Sequence, residues 1–346
     1  MKITTLFIAI ALACACQSRA EPQSVEVAAV GHTHAYVPTA PTAQQLSEPG
    51  ALQRYIDDQA KRAGEIVLPP GRIEVPNLLL RRLDDVTIRG PGTTIAFTGP
   101  TDKPAIRQAQ CVGLHLEGVT LEFGGDLLWS MENWRGYGTL RTTFDRVTFR
   151  QTGTKRTGRA MRFGRSQSEL NCADVLISNC FFRDYDTCLH VVGNQALRIV
   201  VTDVTDVWHC NRVWQIDGGG HLQIDGKSGV IGAKEIARTG PNAIGSSLQP
   251  VLTLRDVYID DVGSPTRLLD MSRTPQYWQR AVIENVKCNV ADGAGEGFDL
   301  VVGPHESRFG EAKIVVKGLT KTGKANTTPV TPTPPAEEHT RELEGE

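Results

Sequence analysis

The chain has 346 residues, of which 40% are hydrophobic and 22% charged, with a formal net charge of −2. That is enough apolar material for a large buried core, which excludes a mainly disordered chain. The apolar run Thr5–Cys16 is too short for a spanning helix, and no other segment of the sequence qualifies.

Met1-Lys2, the apolar run and Ser18-Arg19-Ala20 predict a secretory signal over residues 1–20, and so a secreted, periplasmic or cell-surface protein. Cys14 follows Ala11-Leu12-Ala13, an imperfect lipobox, which leaves membrane attachment through a lipidated Cys14 open. Residues 21–47 predict a linker. Its His32-Thr33-His34 supplies only two metal ligands and reads as solvated histidine. An amphipathic helix is predicted over 51–60, followed by Gly64-Glu65-Ile66-Val67-Leu68-Pro69-Pro70-Gly71.

From residue 83 onward one phrase recurs: an apolar-x-apolar stub, a turn residue (Asp, Asn or Gly), and a second apolar-x-apolar stub. It reads Leu83-Asp84-Asp85-Val86-Thr87-Ile88, Leu116-Glu117-Gly118-Val119-Thr120-Leu121 and Ile177-Ser178-Asn179-Cys180-Phe181-Phe182. The turn residues 85, 118, 145, 179, 203, 226, 256, 285 and 318 lie 23–34 residues apart. Period-two alternation on either side reads as short strands, and the residue between them tolerates left-handed dihedrals. A repeat of this length signals a solenoid of about nine coils over residues 48–320. An antiparallel sandwich would instead need a hairpin turn every ~8–12 residues.

Each coil also predicts a third strand. Cys188–Val191 ends six residues before Leu197, and Val213–Ile216 ends six before Leu222. Ala160–Phe163, Leu268–Met271 and Phe298–Leu300 are the equivalents by pattern. Alternation buries Met161, Leu189, Trp214, Leu269 and Phe298, and turns Arg162, His190, Gln215, Asp270 and Asp299 outward. Residues 135–165 carry nine cations against the single Asp145, a basic stretch suited to an acidic polymer. Trp129, Trp134 and Tyr137 mark an insertion beside it. Cysteines 111, 172, 180, 188, 210 and 288 read as buried thiols rather than a disulfide frame, with Cys188 and Cys210 about one coil apart. The absence of any Cys-x-x-Cys pair leaves no support for structural zinc. Residues 321–346, Thr/Pro-rich and then acidic, predict a disordered tail.

The repeat, the helix 51–60 and the Gly64–Gly71 segment together resemble the right-handed parallel β-helix of the pectin-lyase-like superfamily. The resemblance covers about residues 45–320. It implies an all-β solenoid whose first coil is capped by the N-terminal helix, and a substrate cleft on the third strands and their flanking loops. The motif sets of polygalacturonases and pectate lyases are missing, and Gly220-His221-Leu222 is only a partial echo.

On this basis the predicted function is binding and cleavage of an acidic polysaccharide by lyase or hydrolase chemistry. The alternative is a non-catalytic surface or adhesive β-helix that binds glycan only. His190 is the candidate base. Arg162 and Arg165 are candidate carboxylate clamps, and Asp186 and Asp217 orient the base or bind Ca²⁺. Gln215, Arg212, Asp270 and Trp208 are candidate substrate contacts. No cofactor is firmly implied, Ca²⁺ being the candidate ion. An exported chain without recognition helices excludes nucleic acid as partner. The sequence leaves the oligomeric state open.

Overall fold

In a computed structural model the described residues are 40–330. Within that range residues 135–136, 154–156, 167, 170–171, 204, 227–228, 234, 241–249, 263–266, 273–279, 291–298, 304–312, 323–325 and 329 lie outside the description. The predicted signal, Cys14 and His32-Thr33-His34 fall outside it too, as does Phe298.

The described unit opens on two helices. The first, α1 (Ala43–Leu46), starts at a capping box in which Thr42 and Gln45 satisfy each other's backbone N–H groups. The ordered cap therefore begins inside the stretch predicted as linker. The second, α2 (Ala51–Ala60), buries Leu52 and Ile56 on the face the periodicity predicts. Gln53 also points into the first coil, where its amide donates to the Leu79 carbonyl and accepts from the Leu79 N–H, both at 2.9 Å. One side chain thus pairs the backbone edge of the first rung, which would otherwise lie open to a further strand.

The solenoid follows, and every strand pairing in its sheets is parallel. One sheet has nine strands, one per coil. They are β1 (Leu78–Arg81), β2 (Ile106–Ala109), β3 (Leu127–Glu132), β4 (Arg159–Phe163), β5 (Thr187–Val191), β6 (Arg212–Ile216), β7 (Glu235–Thr239), β8 (Arg267–Asp270) and β9 (Val301–Val302). The remaining strands make the other walls, which the long strands Thr87–Phe97 and His115–Phe123 join into one bent sheet. The fold is an all-β, right-handed parallel β-helix of nine coils with a helical N-terminal cap.

At the corner between those walls Gly118, Arg146, Asn179, Asp203, Gly226, Asp256, Asn285 and Gly318 all take positive φ, from 52° to 94°. Two expected positions differ. The third coil turns at Arg146 rather than Asp145, because Asp145 is still paired as the last residue of its strand. Asp85 belongs to another corner, where Gly113 and Arg141 follow it. In the first coil the strand Thr87–Phe97 runs on through the Gly118 corner, and Pro91 lies against Gly118.

The core runs down the inside of the coil. The inward column of β3–β9 is Trp129, Met161, Leu189, Trp214, Ala237, Leu269 and Val301, all buried. Phe149 stacks on Phe182 with ring centroids 4.6 Å apart, and Trp129 meets Phe144 edge-on at 4.9 Å. All six cysteines among the described residues are free and buried. Burial pushes the Cys111 thiol up to about 11 and those of Cys172, Cys180 and Cys288 to about 12. Cys188 and Cys210 are neighbours, as one coil of separation predicts.

The chain beyond the ninth coil is more ordered than expected. Thr320–Thr322 is a strand, and Asn326 and Val330 bridge to Asp299 and Val302. Strand and bridge pairing therefore extends into the stretch predicted as tail from 321, as far as Val330, where these residues pair the backbone edge of the last coil. Phe182 fills the middle of the core, so Phe182→Ala should cost about 3–5 kcal/mol. Urea unfolding checks this, and a loss below about 1 kcal/mol would contradict the packing described.

Candidate functional site

Strands β4–β8 carry outward side chains at two positions per rung rather than one. In Arg212-Val213-Trp214-Gln215-Ile216 the second and third residues, Val213 and Trp214, are both buried while Arg212 and Gln215 are partly exposed. The same pattern holds in Arg159–Phe163 and Glu235–Thr239. Stacking these strands makes two outward columns. One is Arg159, Thr187, Arg212, Glu235 and Arg267, and the other is Arg107, Ser130, Arg162, His190, Gln215, Arg238 and Asp270. Arg162, His190, Gln215 and Asp270 thus share the predicted face. Arg238 joins them unpredicted. Asp299 does not, because Val302 is the residue in register with Asp270, three positions later than the pattern implied. Asp299 instead accepts a hydrogen bond from Asn326 at 3.0 Å.

The C-terminal part of this face is closed by its own hydrogen bonds. Arg238 and Arg212 both bind Glu235, the latter at 2.6 Å. Arg212 donates to Gln215 at 2.7 Å, Gln215 donates to Asp217 at 2.6 Å, and Asp217 accepts from His190 Nε2 at 2.7 Å. Asp270 is held by Arg267 and by the Ser272 hydroxyl and N–H. Asp217 reaches His190 only because residue 240 is glycine, since a Cβ there would sit 1.9 Å from Asp217 Oδ1.

His190 is 7% exposed and does not line the cleft described next, and its Nδ1 is buried without a partner among the described residues. Burial pushes its imidazole pKa below the ordinary value; the bond to Asp217 opposes this, and Arg159 and Arg162 add to it. Burial would raise the Asp217 carboxyl, but the bonds from His190 and Gln215 and the charge of Arg212 hold it below its usual range. Near neutral pH the pair is therefore a neutral imidazole donating Nε2–H to a carboxylate.

The open part lies over β3–β5. A cleft of about 520 Å³ has Arg159 and Arg162 on its floor and Asp102, Asp126 and Asp186 around it. Asp126, Gly158, Asp186 and Asn211 occupy the same position on successive rungs, the residue before each strand. Backbone bonds fix the ladder: Arg159 N–H to Asp126 at 2.8 Å, Asp186 N–H to Gly158 at 3.0 Å, and Arg212 N–H to Asp186 at 2.7 Å. Asp126 and Asp186 therefore lie two rungs apart, roughly 9.6 Å at Cα. Gly158 leaves the rung between them without a side chain. It has φ 80°, and a Cβ there would meet the Gly125 carbonyl at 2.5 Å.

Asp186 is oriented by Thr187 Oγ1 and Asn211 Nδ2, each at 3.1 Å. Among the described residues no side chain bonds Asp126, Asp102 or the Arg159 guanidinium. Arg162 donates to Ser130 at 3.0 Å. Burial lowers its pKa from a value so high that the guanidinium stays charged. A second recess of about 520 Å³ shares Arg162 and Pro104 with the first and adds Lys103, Arg107, Glu132 and Arg165.

No protein-family model matches the sequence, and no curated protein does. Among solved structures, the chain is similar to an endo-xylogalacturonan hydrolase from Aspergillus tubingensis, with 11% identity over 84% of this chain and 98% of that one and a TM-score of 0.57. It is also similar to the Streptococcus pneumoniae surface protein and adhesin PfbA, with 12% identity over 85% of this chain and all of that one and a TM-score of 0.45. The likeness shows the fold, a right-handed parallel β-helix. At these identities the likeness concerns the backbone alone.

Within this β-helix the predicted site residues divide. Arg162 and Asp186 line the cleft, and Arg165 lines the adjoining recess, paired to Glu169. Gln215, Arg212, Asp217 and Asp270 belong to the closed network. Trp208 lies on a different wall: its strand Asp206–Trp208 pairs with Phe181–Arg183, and its ring packs edge-on against Phe181 at 5.5 Å. His221 is likewise on another wall, in the strand Gly220–Ile224. Trp129 is not in a loop but in the core, its Nε1 donating to Gln108.

Among the described residues the basic stretch is not one patch, and its Arg135, Lys155 and Arg156 lie outside the description. Arg141, Arg146 and Arg150 sit on other walls, neutralised by Asp85, by Glu117 and Asp145, and by Glu122. Among the described residues no three His, Cys, Asp or Glu side chains group as metal ligands. Sequence reasoning missed Asp102, Asp126 and Gly158, which sit in connections without periodicity. The run Asp126, Gly158, Asp186 and Asn211 just before β3–β6 was the available signal.

The unfolded chain protonates His190 below about pH 6.5, while the folded chain resists it. Stability from the neutral imidazole is therefore complete above about pH 6.5 and declines as pH falls through that value toward the depressed native pKa. Melting temperature should drop on acidification from about pH 6.5 to about pH 5 in the wild type and less steeply in His190→Gln. Equal slopes would show that His190 is not held neutral.

Proposed function

We propose that this chain is an exported glycoside hydrolase acting on an acidic polysaccharide, with its site in the cleft over β3–β5. The observation that carries this reading is the pair Asp126 and Asp186 flanking the side-chain-free rung of Gly158, directly beside Arg159 and Arg162. Glycosidic cleavage needs two carboxyl groups, and a wide separation leaves room for a water opposite the leaving group. Asp186, oriented by Thr187 and Asn211, activates that water. Asp126 gives a proton to the leaving oxygen, and Arg159 and Arg162 bind a sugar carboxylate.

His190 is better suited to positioning, since its free nitrogen is covered and its other nitrogen is committed to Asp217. This favours hydrolysis over a lyase reaction with His190 as base. The similarity to a hydrolase of an acidic polysaccharide supports the fold as a suitable scaffold and adds nothing about these residues.

Incubation with a panel of acidic polysaccharides, with and without Ca²⁺, tests the reading. New reducing ends should form without ultraviolet absorbance of unsaturated uronates, and the product anomer should be inverted by NMR. Asp186→Asn and Asp126→Asn should each lower kcat by about 10²–10⁴-fold. Unsaturated products that vanish in His190→Ala would replace hydrolysis by elimination. Binding without either product would leave an adhesive β-helix.

A further inference from the structure

Around the corner from the groove, past the ends of β1–β3, lies a separate recess of about 470 Å³. Its floor is a short ladder in which Asp84, Val112 and Leu140 pair as parallel bridges on successive coils. Val112 and Leu140 are half-buried, and Tyr137, 69% exposed, lines the recess with them. Arg82, Asp84, Gln110 and Gly138 complete the lining. Among the described residues neither the Arg82 nor the Asp84 side chain has a hydrogen-bond or ion-pair partner.

Tyr137 is tied to the groove through Trp134. The two residues exchange backbone hydrogen bonds of 3.2 Å in both directions. The Trp134 ring lies under Arg81 at 4.5 Å and Arg107 at 5.4 Å from its centroid. Arg107 lines the recess that adjoins the groove. Arg81 donates to Gln110 Oε1 at 3.0 Å, and the Gln110 amide donates to the Trp134 carbonyl at 3.3 Å. One aromatic and cationic wall thus separates the two recesses.

We propose that the Tyr137 recess is a second carbohydrate subsite, taking an uncharged sugar unit of the same polymer that the groove holds. The proposal rests on the groove being glycan-binding. The chemistry of the lining decides the class. An exposed aromatic ring in one recess with the apolar Val112 and Leu140 suits the C–H face of a sugar ring. Arg82 and Asp84 supply a donor set and an acceptor set side by side with no net charge, matching hydroxyls that both donate and accept. A uronate would meet the Asp84 carboxylate, and an apolar segment would bury Arg82 and Asp84 without partners. The groove, with two unpaired or half-paired guanidiniums, selects the opposite character. The polymer would then carry charged and neutral units, the neutral one reaching around the Trp134 corner.

Calorimetric titration of the wild type with neutral xylo-, cello- and galacto-oligosaccharides, alongside oligogalacturonate, tests this. At least one neutral series should bind. Tyr137→Ala should weaken it by about fivefold or more, while Tyr137→Phe, which keeps the ring, holds it within about twofold. Arg162→Ala should leave neutral binding unchanged and weaken oligogalacturonate. Failure of every neutral series to bind, or neutral binding lost in Arg162→Ala but not in Tyr137→Ala, would overturn the subsite. Absence of hydrolysis would sink the catalytic reading while neutral binding, measured separately, still decides the subsite. Circular dichroism melts of the variants separate loss of the subsite from loss of the fold.

Discussion

The in-register stacking of parallel coils constrains everything else in this molecule. Each position meets its equivalents one strand spacing above and below, roughly 4.8 Å away, so side chains interact as columns rather than as isolated pairs. A column of like charges would repel itself. The back walls offset this with ion pairs between rungs: Glu122 bridges Arg72 and Arg150, and Glu117 bridges Arg89 and Arg146. Each exposed pair is worth about 0–1 kcal/mol. Their arrangement matters more than their sum, since it lets a charged wall stack in register.

The groove breaks that rule. Arg159 has Leu127 and Thr187 on its neighbouring rungs, and Arg162 has Ser130 and His190. Neither guanidinium meets a carboxylate in its own column, and the carboxylates Asp126 and Asp186 stand one position earlier with an empty rung between them. Local departures from an otherwise consistent pattern concentrate where a protein does something other than fold. Below the groove the pattern resumes, as the chain Arg238, Glu235, Arg212, Gln215, Asp217 and His190 uses up its charges internally. That network ends at His190, beside Arg162. It gives the groove a rigid lower edge and keeps a neutral ring, rather than a third cation, next to the two arginines.

How much of this is legible in the sequence follows from what periodicity can carry. Arg162, His190, Gln215 and Asp270 fall on one face because alternation and a fixed offset to the next strand are local properties. Arg238 escapes because Glu235-Ile236-Ala237-Arg238-Thr239 has a weak apolar signal, with Ala237 where its neighbours carry Trp214 and Leu269. Asp299 is misplaced by three residues where the connection lengthens. Nearness in sequence gathers Trp208 and the cations Arg141, Arg146 and Arg150 into the site, but a solenoid sends neighbouring segments to different walls. Asp126 has no period of its own; only the rung order shows it beside Gly158 and Asp186.

Gly158 joins the stability of the fold to the chemistry of the groove. Its φ of 80° and the 2.5 Å approach of the Gly125 carbonyl mean that no side chain fits there without moving backbone. The constraint is mechanical and arises from the turn into β4. Its consequence is chemical, because the same missing side chain holds Asp126 and Asp186 apart with room between them. In a stacked fold a cleft need not be carved by long loops. Deleting one side chain from a ladder opens a slot one rung high, and the residues on either side, already aligned by backbone hydrogen bonds, become its walls.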